Sequence, residues 1–157
     1  MRNKIGLAFL GAAFALLVVA IAVALYQESE SPADPGNLGQ VARGKSVYAQ
    51  HCASCHGANL EGQPNWQSKL PSGRMPAPPH DASGHTWHHP DSVLFGITKL
   101  GLVPGKYAPP KYVSDMPAFG AQLSDAEIWA VLAYIKSSWP DAIRRAQAEI
   151  NRNTARK

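Results

Sequence analysis

The run Cys52-Ala53-Ser54-Cys55-His56 constrains this chain more than any other feature. These are the only two cysteines in 157 residues, and they lie three positions apart. Residues i and i+3 share one face of a helical turn, so two thiols at this spacing can reach two neighbouring points on one edge of a ligand. The next residue, His56, is then carried beneath that ligand with an imidazole nitrogen available to a metal. The pattern C-x-x-C-H is the haem attachment sequence, in which the thiols add to the two vinyl groups and the histidine binds iron. Three other readings of the cysteines stand beside it. One is a structural disulfide, which an oxidising compartment allows. Another is a dithiol redox site, which calls for a βαβ context that the chain does not offer. The last is half of a zinc site, whose second ligand pair is absent at the expected spacing.

Compartment is read from the N-terminus. Ile5 to Leu25 is a stretch of 21 residues without charge or proline. As a helix rising about 1.5 Å per residue it matches the roughly 30 Å hydrocarbon core of a bilayer. Arg2 and Lys4 precede it, whereas Glu28, Glu30 and Asp34 follow. Cationic flanks stay in the cytoplasm, so the remainder of the chain is expected outside it. An uncleaved single-pass anchor over residues 1–26 fits this length. A cleaved signal peptide is the alternative, with Ala22-Val23-Ala24 as its processing site and a soluble periplasmic product.

The rest divides into an acidic, proline-broken linker over 27–36, a folded domain over 37–140 and a basic helical tail over 141–157. Asn37 is placed to cap a helix from Leu38 to His51, with Leu38, Val41, Ala42, Val47, Tyr48 and Ala49 as its apolar positions. Gly44 within it marks a close approach of another helix. Residues 57–117 are dense in Pro and Gly and read as loop, interrupted by a short helix over Pro90 to Leu100 with Val93, Leu94 and Ile97 inward. Ser124-Asp125-Ala126-Glu127 is a capping box, followed by Ile128, Val131, Leu132 and Ile135 at helical spacing. Asp141 to Asn151 reads as a further, exposed helix. No internal repeat is visible, and the fold class is all-α with several helices and long loops.

The charge pattern excludes a nucleic-acid footprint. The net charge of +4 is spread thinly, with eight Lys/Arg against six Asp/Glu over 37–140 and five against two over 141–157. No dense basic patch with interleaved aromatics is present.

A haem needs a ligand on its far side. Met116, in Asp115-Met116-Pro117, stands in a proline-bounded loop just before the strongest helix. Met75, in Arg74-Met75-Pro76, is the other internal methionine, and a histidine or an open position remains an alternative. Thioether ligation favours Fe(II) and raises the potential, and two axial ligands leave no open position for a small-molecule substrate. His80, His85, His88 and His89, together with Trp87, lie between the cysteines and Met116. They read either as a copper or zinc site or as a loop covering a haem edge, with ring nitrogens bonded to haem carboxylates or backbone.

The runs Cys52-Ala-Ser-Cys-His-Gly57, Met116-Pro-Ala-Phe-Gly120 and Leu123 to Lys136 resemble the class I monohaem c-type cytochromes of membrane-anchored, bacterial type, over about residues 37–140. The resemblance implies a cytochrome c fold around one covalent haem c, attached through Cys52 and Cys55 with His56 and Met116 as axial ligands. It also implies that the first helix crosses the C-terminal one near Gly44 and Tyr134 or Trp129. A proline carbonyl accepts a hydrogen bond from the proximal histidine in such proteins, and Pro64 is the matching candidate. The segment between Gly62 and Met116 is longer than in small members. The implied function is one-electron transport between redox protein partners in a respiratory chain, on the periplasmic side of the inner membrane, with no catalytic residues. A cytochrome subunit docked to a specific oxidoreductase and a haem or copper sensor using the histidine-rich loop are the alternatives.

Overall fold

The computed structural model describes residues 14–18 and 32–156. Residues Met1–Ser31 and Pro32–Lys157 form two separate compact units. Of the first, residues 14–18 are helical, with Phe14, Leu16, Leu17 and Val18 exposed. The rest of the expected Ile5 to Leu25 span lies outside the described residues. Among the described residues, no helix is long and apolar enough to cross a membrane.

The second unit is helical, and its described residues contain no strand beyond an isolated bridge between Pro104 and Ala108. Helix α1, Leu38–His51, opens where the sequence places it: Gln40 N–H donates to the Asn37 side chain at 3.0 Å. Its buried stripe is narrower than the apolar positions suggest. Gly44, Val47 and Tyr48 are buried and Val41 is half-buried, whereas Leu38, Ala42 and Ala49 face solvent. Leu38 is 82% exposed because it stands on the first turn, beyond the crossing point with the next long helix. The one-turn helix α2, Ala53–His56, follows directly, and α3, Asp91–Leu100, begins after Pro90.

Helix α4, Asp125–Ser137, carries the expected capping box in full: Ser124 Oγ accepts from Glu127 N–H while the Glu127 carboxylate accepts from Ser124 N–H at 2.9 Å. Ile128, Ala130, Val131, Leu132, Ala133 and Ile135 are all buried. A helix apolar on every side belongs in the interior, and α4 is packed by α1 on one flank and α3 on another. Gly44 makes the α1 crossing possible. A Cβ there would overlap the Ala130 carbonyl and lie 2.9 Å from the Tyr134 Cβ. The partner at the crossing is therefore Tyr134, while Trp129 turns the other way and stacks on Phe95 of α3 at 4.3 Å.

Helix α5, Asp141–Ala155, runs four residues longer than its expected end at Asn151. Its outer face is solvated as anticipated, but its inner face is anchored. Gln147 is completely buried and donates to Asp91 Oδ1 at 2.6 Å, and Asn151 Nδ2 donates to Asp91 Oδ2 at 3.0 Å. Lys136 of α4 reaches the same carboxylate at 2.7 Å, with both side chains under a tenth exposed. One aspartate thus ties α3, α4 and α5 together.

Candidate functional site

Cys52 closes α1 and opens α2, and its carbonyl accepts from His56 N–H at 2.9 Å. That turn brings Cys52, Cys55 and His56 together. Cys52 is buried and Cys55 exposed, and the two are not joined in a disulfide. Burial, with Cys55 beside it, pushes the Cys52 thiol up to about 11. The Tyr48 hydroxyl donates to the carbonyls of Gly57 at 3.1 Å and His56 at 3.3 Å, fixing the end of the turn to α1.

His56 is 8% exposed and its Nδ1 lies 2.8 Å from the Pro78 carbonyl. A carbonyl only accepts, so Nδ1 carries the proton and Nε2 keeps its lone pair. Burial lowers the pKa of the ring, and the Pro78 bond opposes that shift. The outcome is a neutral, oriented imidazole with one nitrogen available, the state a metal-ligating histidine needs.

The acceptor is Pro78, not Pro64 as the resemblance implies. Residues 64–76 leave the body and return through a narrow neck, where Gln63 N–H donates to the Ala77 carbonyl at 2.9 Å and Ala77 N–H to the Gln63 side chain at 3.0 Å. Past the neck the chain resumes against Gly62, whose φ is +67° and whose missing side chain makes room for the Pro78 carbonyl carbon at 2.7 Å from a would-be Cβ. Counting from the cysteines meets Pro64 first, but the excursion carries it away and delivers Pro78 to the histidine.

Met116 is half-buried and packs against the core cluster that contains Cys52, Leu60 and Phe119; Met75 is not among the side chains packed there. Its loop is tied to the end of α3 by Phe119 N–H on the Thr98 carbonyl at 3.0 Å and Gly120 N–H on that of Lys99 at 2.9 Å. The Phe119 ring meets His51, the residue before Cys52, edge-on at 6.1 Å. The methionine run and the cysteine run therefore converge. Met116 also borders a cleft of about 430 Å³ lined by Leu100, Leu102, Val103, Pro104 and Tyr112. Met75 lies on the excursion, whose Arg74 forms an ion pair with Asp115 beside Met116.

The histidine-rich stretch does not gather into one site. His85 stacks on Trp66 and meets His89 edge-on at 5.5 Å, His88 stacks on Trp87 at 3.7 Å, and His80 stacks on His56 at 3.9 Å. Among the described residues, no group of three or more His, Cys, Asp or Glu could hold a metal ion. Trp87 Nε1 and His80 Nδ1 are buried without a hydrogen-bond partner among the described residues. An indole N–H left so costs about 1–3 kcal/mol. A carboxylate on a bound prosthetic group would complete it, and on that observation the residues present fit a haem.

The sequence profile of cytochrome c matches residues 41–139. The chain belongs to the cytochrome c family. Among curated relatives, this cytochrome is 32% identical over 96 residues to the gluconate 2-dehydrogenase cytochrome c subunit of Pantoea cypripedii, covering 61% of this chain and 20% of that one. It is 30% identical over 111 residues to the thiosulfate dehydrogenase of Stutzerimonas stutzeri (strain A1501), covering 69% of this chain and 30% of the relative. It is 34% identical over 67 residues to cytochrome c-555 of Prosthecochloris aestuarii, covering 39% of this chain and 68% of the relative. This cytochrome thus spans between a fifth and a third of the length of the first two relatives. No solved structure matches it. Membership implies covalently bound haem c and a role in electron transfer. Two residues that shape the site of this cytochrome, Pro78 and Trp139, whose Nε1 donates to the His80 carbonyl at 2.8 Å, were not singled out from sequence for that purpose. The only signal for the first was the Pro76-Ala77-Pro78-Pro79 run.

Proposed function

We propose that this chain is an extracytoplasmic one-electron carrier holding a single haem c, bonded through Cys52 and Cys55, with His56 and Met116 as its axial ligands. The haem supplies the one-electron iron couple. The observation that carries the reading is the buried His56, directly after the two thiols and oriented by Pro78 at 2.8 Å. The protein's part is positional. The Tyr48 hydroxyl fixes the attachment turn, Pro78 holds the His56 proton on Nδ1, and the loop pinned by Phe119 and Gly120 presents the Met116 thioether. Trp87 Nε1, buried without a partner among the described residues, would donate to a haem carboxylate. Ligands on both faces leave no place for a substrate to bind iron, which favours carriage of electrons over catalysis.

Export is supported by Arg2 and Lys4 before the apolar run, on which reading the haem domain lies on the periplasmic side of the inner membrane, held there by an uncleaved anchor. The donor and acceptor are redox proteins. A second reading, that the chain docks as the cytochrome partner of a dehydrogenase, draws on two relatives whose names are those of a dehydrogenase and of a dehydrogenase's cytochrome subunit.

A spectroelectrochemical titration of the purified full chain tests the carrier reading. A single reversible wave with a one-electron slope is expected, unchanged in midpoint by small anions that bind open ferric haem. Two waves, or a new spectrum on adding imidazole or azide at low concentration, contradict one six-coordinate haem.

A further inference from the structure

The His56 ring is held within its own plane by one hydrogen bond, Nδ1 to the Pro78 carbonyl at 2.8 Å. A single in-plane bond leaves the ring able to pivot about the line joining its two atoms. The pivot is blocked by a second flat ring. His80 lies face to face with His56, its centroid 3.9 Å away and the planes 18° apart. Such a plate is useful only if it is itself rigid, and His80 is fixed along its backbone on both sides. Its N–H donates to the Leu60 carbonyl at 2.8 Å, and its own carbonyl accepts from Trp139 Nε1 at 2.8 Å. Trp139 is 2% exposed, so that tie comes from the core. The Tyr48 ring closes a further side, edge-on at 5.9 Å. His80 Nδ1 makes no hydrogen bond among the described residues, so within the protein the ring works through its face.

We propose that His80 is a positioning residue that sets the plane of the iron-ligating imidazole. The in-plane restraint at Pro78 and the face restraint at His80 come from one stiff segment, Pro78-Pro79-His80, and act at right angles. The direction in which an axial imidazole plane lies over the porphyrin nitrogens sets the splitting of the iron d orbitals. Partners of a ligating histidine tune a metal centre through such orientation. The inference rests on the haem reading above and concerns a residue that reading does not use.

The test compares two variants of similar bulk in the full-length holoprotein. His80→Phe keeps a flat plate, whereas His80→Leu replaces it with a branched, non-planar one. The low-spin ferric EPR spectrum and the midpoint potential are measured for each. His80→Phe is expected to keep the wild-type g-values and potential, and His80→Leu to shift the largest g-value, broaden its line and move the potential. Loss of packing alone would lower the melting temperature of a variant without moving its g-values in this ring-dependent order. Superimposable His80→Leu and wild-type spectra overturn the inference, as does a His80→Phe shift as large as that of His80→Leu. Should His80→Leu not accumulate as holoprotein, His80→Met, also non-planar, takes its place. Failure of the underlying reading is seen separately, as wild-type protein without thioether-bound haem.

Discussion

Met116→Ala in the holoprotein is expected to abolish the weak sulfur-to-iron absorption at the red edge of the ferric spectrum and to lower the midpoint potential. Thioether ligation stabilises Fe(II), and its loss leaves water or a stray nitrogen ligand that stabilises Fe(III). Axial ligands span roughly 0.8 V across haem proteins, so a fall on the order of 0.1 V or more is expected. The haem itself is expected to stay attached, because Cys52, Cys55 and His56 are held at the turn of α2 and the Met116 loop by the Phe119 and Gly120 amides on α3. The paired control is Met75→Ala, which is expected to keep the band and the potential, since Met75 is not packed against the cluster containing Cys52. Retention of the band in Met116→Ala assigns the sixth ligand elsewhere.

The second large effect is on stability. Asp91→Ala removes the carboxylate that receives Lys136, Gln147 and Asn151 at 2.7, 2.6 and 3.0 Å. Lys136, 5% exposed, then loses the Asp91 carboxylate in the interior. Breaking one side of a buried pair costs about 3–5 kcal/mol. In a domain of this size that lowers the melting temperature by on the order of 10–20 °C. Replacing both charges, as in an Asp91→Leu, Lys136→Met double variant, is expected to recover only the part of the loss that comes from the unpaired charge, because Gln147 and Asn151 still lack their Asp91 acceptor. The ferric sulfur-to-iron band is expected to persist in the single variant, since the network joins α3, α4 and α5 and not the Met116 loop. Differential scanning calorimetry of the three proteins checks both parts. A single variant within 1 °C of wild type would show that the network contributes nothing.

Which features were legible follows from how local their signals are. The Asn37 cap, the capping box at Ser124 and Glu127, and the attachment turn at Cys52 each depend on residues within four positions, and each formed where the spacing places it. Gly44 was also readable, because a glycine inside an amphipathic helix needs a reason, and the reason is the Ala130 carbonyl. Long-range partners were not. Pro78 replaces Pro64 because the neck at Gln63 and Ala77 removes thirteen residues from the spatial path, and nothing in composition marks where a loop rejoins itself. The inner face of α5 was hidden for a different reason. Gln147 and Asn151 look solvated on a polar helix, and only the carboxylate of Asp91, some sixty residues earlier, makes them interior. The histidine stretch left a metal site and a loop over a haem edge both open, because its members are close in sequence and spacing alone does not separate the two. In the fold His80, His85 and His88 stack on three different rings, His89 meets His85 edge-on, and His80 lies on the residue that the site is built around.

The central claim is that Cys52 and Cys55 are bonded to one haem, and the mass of the mature protein under denaturing conditions tests it most directly. Protein recovered from a host able to export and mature it should weigh as much as its polypeptide plus a single haem that survives unfolding. The same measurement reads the N-terminus, since retention of residues 1–26 is what an uncleaved anchor requires. A mass equal to the bare polypeptide, or to the polypeptide less two hydrogens for a Cys52–Cys55 disulfide, would contradict the account.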